Sequence, residues 1–178
     1  MVTTVRRLLC AATFLLGICT AASAQPVATD PDSTSARFGT WSLTCLGGAA
    51  GRRCEVTHVE TDRQQQPVAV LGMGRLAKGM PFRIVLRVPV NVGVAVPAKL
   101  IMEGGPAVLL PFRTCSPLGC FAEFEFGDEA GLMRRLRGLA TDKSGRVEWQ
   151  DSGGAAVGFD LAFKGLVPAL DGLVKETR

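Results

Sequence analysis

The chain has 178 residues, of which 47% are hydrophobic and 20% are charged, with a formal net charge of +4. This length fits one domain with a single sizeable core. Two of the positive charges, Arg6 and Arg7, lie in a leader that we expect to be removed, which lowers the net charge to +2. Because so small a charge does not predict nucleic-acid binding, we expect no nucleic-acid partner.

The first 24 residues have the three parts of a secretory signal peptide. Arg6 and Arg7 are the positive region, residues 8–22 are mostly apolar, and residues 22–24 (ASA) are a small-x-small cleavage site. The apolar stretch is shorter than the roughly 20 residues that cross a bilayer. Lipidation at Cys19 is the alternative, but Ile18 before it is not a small residue. We therefore expect a periplasmic, secreted or surface protein.

The cysteines agree with export. Four of the six lie after the signal peptide, and an even number in an exported chain predicts disulfides. Three pairings are possible, and proximity in sequence favours Cys45–Cys54 and Cys115–Cys120. A zinc site is the alternative, but its ligands are usually more closely spaced and His58 is the only histidine. We expect no metal.

Residues 25–36 are rich in Pro, Asp, Ser and Thr, which predicts a flexible tail before a domain at 37–178. Apolar residues then mostly alternate with polar ones, as in half-buried strands. Residues 90–101 predict two short strands or one bent strand. The other predicted strands are 41–45, 54–58, 67–73, 82–88, 108–112, 120–126, 147–150 and 157–163.

Two segments predict helices. Asp128 would cap the first, which carries Leu132, Leu136 and Leu139 near helical spacing, and residues 166–174 form the second. Many short strands with few helices predict a mainly β domain. We expect a β-sandwich or barrel-like fold with one or two short helices at its edge.

Residues 72–77 (GMGRLA) resemble part of a dinucleotide-binding fingerprint, which requires a helix directly after it. Gly79 and Pro81 leave no room for that helix. We therefore interpret Gly72 and Gly74 as a glycine-rich β-turn and expect no cofactor.

His58 is the side chain whose ordinary pKa lies nearest neutrality. With Glu55, Glu60 and Asp62 nearby in sequence, it could act in an exported hydrolase. No nucleophile motif accompanies it, and alternation puts Glu55 on the opposite strand face. We favour a structural or surface histidine, whose replacement by alanine would leave folding nearly intact. We expect no catalytic residue and no enzyme.

Two groups of charged residues have both a functional and a simpler interpretation. Glu123 and Glu125 share a strand face and resemble a catalytic carboxylate pair, but charges on a solvent-facing edge strand explain them more simply. Arg134, Arg135 and Arg137 predict a possible surface for weak contact with anionic lipid or polysaccharide. The alternative is the solvated face of an amphipathic helix.

Several segments, taken in order, resemble the invasion associated locus B family of exported bacterial proteins. Residues 38–45 (FGTWSLTC) resemble the family's opening strand, and residues 88–97 (VPVNVGVAVP) resemble its repeated Pro-Gly-Val-like stretch. The second cysteine pair and the closing strand and helix lie at residues 111–122 (PFRTCSPLGCFA) and 159–173 (FDLAFKGLVPALDGL). The resemblance covers most of residues 38–173.

This resemblance implies a periplasmic or surface protein, linked in some pathogenic members to entry into host cells. It implies no reaction and supplies no catalytic residues. We therefore expect an envelope binding protein with an unknown envelope or host-surface partner, and a hydrolase centred on His58 is the alternative.

Cleavage after Ala24 leads to a direct prediction. Mass spectrometry of the protein recovered from its host should find Gln25, or its cyclised form, at the N-terminus. A lipid on Cys19 would show that the leader is a lipoprotein signal instead.

Overall fold

The computed structural model describes residues 32–48, 51–127 and 131–177. The predicted signal peptide, its cleavage site, residues 25–31 of the predicted tail and the predicted helix cap Asp128 lie outside these ranges. The described elements, in chain order, are β1 Ser33–Phe38, β2 Trp41–Leu46, β3 Arg53–Thr61, β4 Pro67–Arg75, β5 Phe82–Val88, β6 Ala98–Ile101, β7 Val108–Leu110, β8 Phe112–Ser116, β9 Gly119–Phe126, α1 Gly131–Arg137, β10 Ser144–Gln150, β11 Ala156–Ala162 and α2 Leu166–Glu176.

The strands form two antiparallel sheets. The larger has seven strands in the order β1-β2-β3-β4-β5-β9-β8, and the smaller has four in the order β11-β10-β6-β7. Buried residues of both sheets and both helices belong to one hydrophobic core. The mainly β, sandwich-like fold with two helices is thus confirmed, and the described strands do not close into a barrel.

Alternation along the strands creates the core. In β5, Phe82, Ile84, Leu86 and Val88 are buried, and the residues between them are only half-buried. Successive strand residues point to opposite faces, so this pattern gives the larger sheet one apolar inner face and one polar outer face. Burying a large apolar side chain contributes about 1.5–3 kcal/mol, which makes the inner face the main source of stability.

Trp41 connects the two sheets. It lies on the inner face of β2 and is fully buried. Its indole Nε1 donates a hydrogen bond of 2.9 Å to the carbonyl oxygen of Ala162, at the end of β11. A buried indole N–H needs such a partner, and this bond links one sheet to the other.

Both favoured disulfides are present. Cys45 and Cys54 are paired across β2 and β3, and Cys115 and Cys120 across β8 and β9. In each case the two cysteines lie directly opposite each other on strands that are neighbours in sequence. The disulfides therefore link strands that already pair through their backbones.

Some predicted boundaries were wrong. Strand pairing already includes Ser33, before the predicted boundary at Arg37, because β1 pairs with β2 along its whole length, from Ser33 opposite Leu46 to Phe38 opposite Trp41. The predicted strand 108–112 is divided between β7 and β8. Of residues 90–101, only Ala98–Ile101 form a strand. Prolines at both ends of the preceding loop lack the amide hydrogen that a strand ladder uses.

The three arginines of α1 have different surroundings. Arg137 forms an ion pair with Asp171 of α2. Arg134 is exposed, and its side chain makes no hydrogen bond or ion pair within the described ranges. Arg135 donates to four backbone carbonyls of the loop between β6 and β7, those of Met102, Glu103, Gly105 and Pro106, at 2.7–3.3 Å. The guanidinium groups of Arg135 and Arg137 thus have internal partners, and an anion-binding surface would depend on Arg134 alone.

Arg135 should therefore matter for stability. Replacing Arg135 by methionine keeps an apolar stem but removes all four hydrogen bonds, so we expect a loss of about 1–2 kcal/mol in the free energy of unfolding. Denaturant titration measures this loss, and Arg134→Met is the matched control, expected within about 0.5 kcal/mol of the parent. Equal effects of the two substitutions would show that the carbonyl contacts do not stabilise the fold.

Candidate functional site

An open trough lies on the outer face of the seven-stranded sheet. Its volume is about 280 Å³, and β2, β3, β4, β5, β9 and the turn between β4 and β5 contribute to its lining. Residues in register form a row across it: Thr44, Glu55, Gly74, Arg83 and Glu125, one from each of five neighbouring strands. A concave site with few polar groups is the usual form of a ligand site.

The trough exists because β4 carries glycines on its outer face. Gly72 and Gly74 lie inside β4, not in a turn as expected, and Met73 between them faces the core. A Cβ on Gly74 would lie 2.7 Å from the backbone oxygen of Cys54, and one on Gly72 would collide with the carboxylate of Glu55. Gly74 is therefore required by space, since the close approach of a backbone oxygen excludes a side chain, whereas at Gly72 only the flexible end of Glu55 would have to move.

Apolar side chains line one end of the trough. Leu46, Leu76 and Met80 line it and are 49%, 55% and 47% exposed. Leu46 ends β2, and the other two belong to the turn between β4 and β5. Exposed apolar residues grouped around a concavity are typical of an interaction site, whereas single ones are not informative.

Arg83 connects the two acidic residues of β9. Its guanidinium lies 2.6 Å from Glu125 and 3.5 Å from Glu123, and the hydrogen bond to Glu125 is the main reason that the pKa of Arg83 is raised. The edge-strand interpretation of these glutamates was wrong, because β9 lies between β5 and β8. Because both carboxylates are paired with Arg83, they do not form a free catalytic carboxylate pair.

Glu55 has no comparable partner. The structure gives its carboxylate no hydrogen bond or ion pair within the described ranges. Part of the residue is exposed, but the carboxylate lies against the backbone at Gly72. The resulting loss of hydration raises the pKa of Glu55 above its usual value of 4.5.

His58 lies on the other side of the sheet, in the core. It is 6% exposed, and its ring lies 5.3 Å from that of Trp41 and stacks at 5.8 Å on that of Phe159 from the smaller sheet. Burial lowers its pKa from 6.5, and the carboxylate of Glu60, 3.6 Å from Nε2, acts in the opposite direction. His58 is therefore a structural histidine, and it does not line the trough.

Of the three acids near His58 in sequence, only Glu60 approaches it. Glu55 faces the trough, and Asp62 accepts backbone hydrogen bonds from Gln64 and Gln66 in the turn before β4. Sequence reasoning missed the trough. The sequence did contain a signal for it, because two glycines follow an apolar run and are separated by one residue, which puts them on the same face of a strand.

The sequence model of the invasion associated locus B (IalB) proteins matches residues 41–174. The chain belongs to the IalB family. It is also similar in fold to a crystal structure described as invasion associated protein b from Bartonella henselae, with 23% identity and a TM-score of 0.65. That match covers 80% of this chain and 96% of the other. A search of curated proteins found no match.

IalB membership and the two disulfides indicate an extracytoplasmic protein. No helix in the described part of this IalB protein is long and apolar enough to span a bilayer.

The buried imidazole should make stability depend on pH. Because the pKa of His58 is lowered in the folded state, the unfolded state binds more protons between that lowered value and 6.5. The free energy of unfolding should therefore rise with pH through this window, by at most about 1.4 kcal/mol per pH unit, and level off above it.

Denaturant titrations at several pH values, on the parent and on His58→Phe, measure this contribution. The phenyl ring keeps the stacking but does not titrate. In the variant, the free energy of unfolding should therefore not rise with pH between the lowered pKa of His58 and 6.5. An identical pH profile in both proteins would contradict the assignment. His58→Ala should destabilise by more than a surface substitution, because it leaves a gap between two rings.

Proposed function

We propose that this protein is a non-enzymatic binding protein of the cell envelope, exported to the periplasm or the cell surface, and that it contacts its partner through the trough. The single observation that supports this most strongly is the trough itself, with exposed Leu46, Leu76 and Met80 around an unpaired Glu55. The partner would be an envelope or host-surface component, and the word invasion in the family name suggests the host surface.

The hydrolase alternative has weaker support. It needs His58 to meet both a carboxylate and a substrate, and Glu60 supplies only the carboxylate. The imidazole is enclosed by Trp41 and Phe159, so a substrate would have to separate the two sheets to reach it. A general base must come within hydrogen-bonding reach of the proton that it takes.

Site-specific photo-crosslinking in the native host tests the binding proposal. A benzophenone amino acid at Leu76, which lines the trough, should give a discrete crosslinked product. The matched control is Leu109 of β7, on the other sheet, since the two leucines are 55% and 51% exposed. Equal crosslinking at both positions, or none at Leu76, would contradict the proposal.

A substrate screen tests the alternative directly. Purified protein and His58→Phe should both show no turnover of ester, phosphoester, peptide or glycoside substrates. Turnover that the substitution abolishes would establish the hydrolase and overturn the binding proposal.

A further inference from the structure

We propose that the trough receives a lysine or arginine side chain of a partner protein, with its cation at Glu55 and its aliphatic stem against Leu76 and Met80. This inference rests on the proposed binding function and specifies the chemistry of the partner. We infer a protein partner because the exposed apolar side chains at one end of the trough extend beyond the carboxylate of Glu55. The residues that flank a basic side chain in a protein would lie against them.

The shape of the trough favours one long side chain. The floor at Gly74 is bare backbone, between the side chains of Glu55 on β3 and Arg83 on β5. The space is therefore about one strand wide, and roughly 4.8 Å separates neighbouring strands. A volume of about 280 Å³ is near the lower end of the usual range for ligand sites and has room for a single stem. Lysine and arginine can bury their aliphatic stems against apolar surface while the charged end stays in contact with water or a polar group.

The electrostatics favour a cation. Glu55 is partly dehydrated by the sheet backbone and has no internal partner, so an incoming ammonium or guanidinium would replace the lost hydration. Arg83 does not compete, because Glu123 and Glu125 already hold it. The lining as a whole also contains Arg53 and the inward-facing Arg75, so the attraction for a cation comes from the unpaired carboxylate of Glu55 and not from the net charge of the trough.

An anionic ligand fits less well. It would meet the unpaired Glu55 and would have to displace a glutamate from Arg83. Arg53 is the remaining outward-facing cation of the lining, and it is exposed at the start of β3. Its side chain could compensate Glu55 in the free protein, so replacing Arg53 should leave binding of a basic peptide unchanged or strengthen it.

Titration of the mature, oxidised protein by two-dimensional amide NMR tests the inference. The probes are three acetylated, amidated peptides, Gly-Leu-Lys-Leu-Gly and the same peptide with norleucine or glutamate in place of lysine. Norleucine keeps all the carbon atoms of the stem and removes the charge. The lysine peptide should shift the amides of Gly72, Gly74 and Val85 saturably, and the other two should bind at least about ten-fold more weakly.

Variants separate the charge from the fold. Glu55→Gln should weaken binding of the lysine peptide about ten-fold, and Glu103→Gln, an exposed glutamate outside the trough, should not. Gly72→Ala should also weaken it, because the added methyl group displaces only the flexible carboxylate of Glu55. Unchanged shifts elsewhere in each spectrum establish that the variant is folded.

Three outcomes overturn the inference. Equal binding of the glutamate or norleucine peptide would show that charge is not recognised. Saturable shifts confined to another surface would show that the trough is not the site. No saturable shift with any peptide would show that a basic side chain is not the ligand. Crosslinking at Leu76 is independent of the ligand's charge, so the binding proposal would survive these results if that crosslink forms.

Discussion

Burial of one face of the seven-stranded sheet is the constraint on which the rest of this structure depends. Strands have a period of two, so burying Ile84 and Leu86 in the core turns Arg83 and Val85 outward. The same rule acts on β3, β4 and β9. Polar and charged side chains of the central strands therefore collect on the outer face, and the chemistry available for recognition lies there.

Glycines convert that face from a flat surface into a concave one. Outer positions of a sheet normally carry side chains. Two outer positions of β4 are glycines without side chains, so the surface is lower there than at β3 and β5. Glu55 lies across the first gap and the second is open. Glycine weakens a strand. Here β4 pairs with β3 on one side and with β5 on the other along most of its length, and this pairing compensates for the weakening.

The elements that the sequence predicted well are those controlled by nearby residues. The alternation of apolar and polar residues was sufficient to predict most strands. The disulfides were predicted because they join strands that are consecutive in the chain. Gly72 and Gly74 were misinterpreted because glycine marks turns and bare strand positions alike, and only pairing with β3 distinguishes them. Ser33 is ordered by its partner on β2, and His58 is buried by Phe159, about 100 residues away in the sequence. Such long-range contacts cannot be read from local composition.

We propose that the protein meets its partner in the cell envelope through the outer face of the larger sheet. Carboxyl footprinting of the unmodified protein, in intact envelopes and after purification, measures whether this face is covered there. Glu55 should label readily in the purified protein and be protected in envelopes. Glu103, whose side chain is 64% exposed on the loop between β6 and β7, should label equally in both. Equal labelling of Glu55 in the two preparations would show that this face is not covered in the envelope.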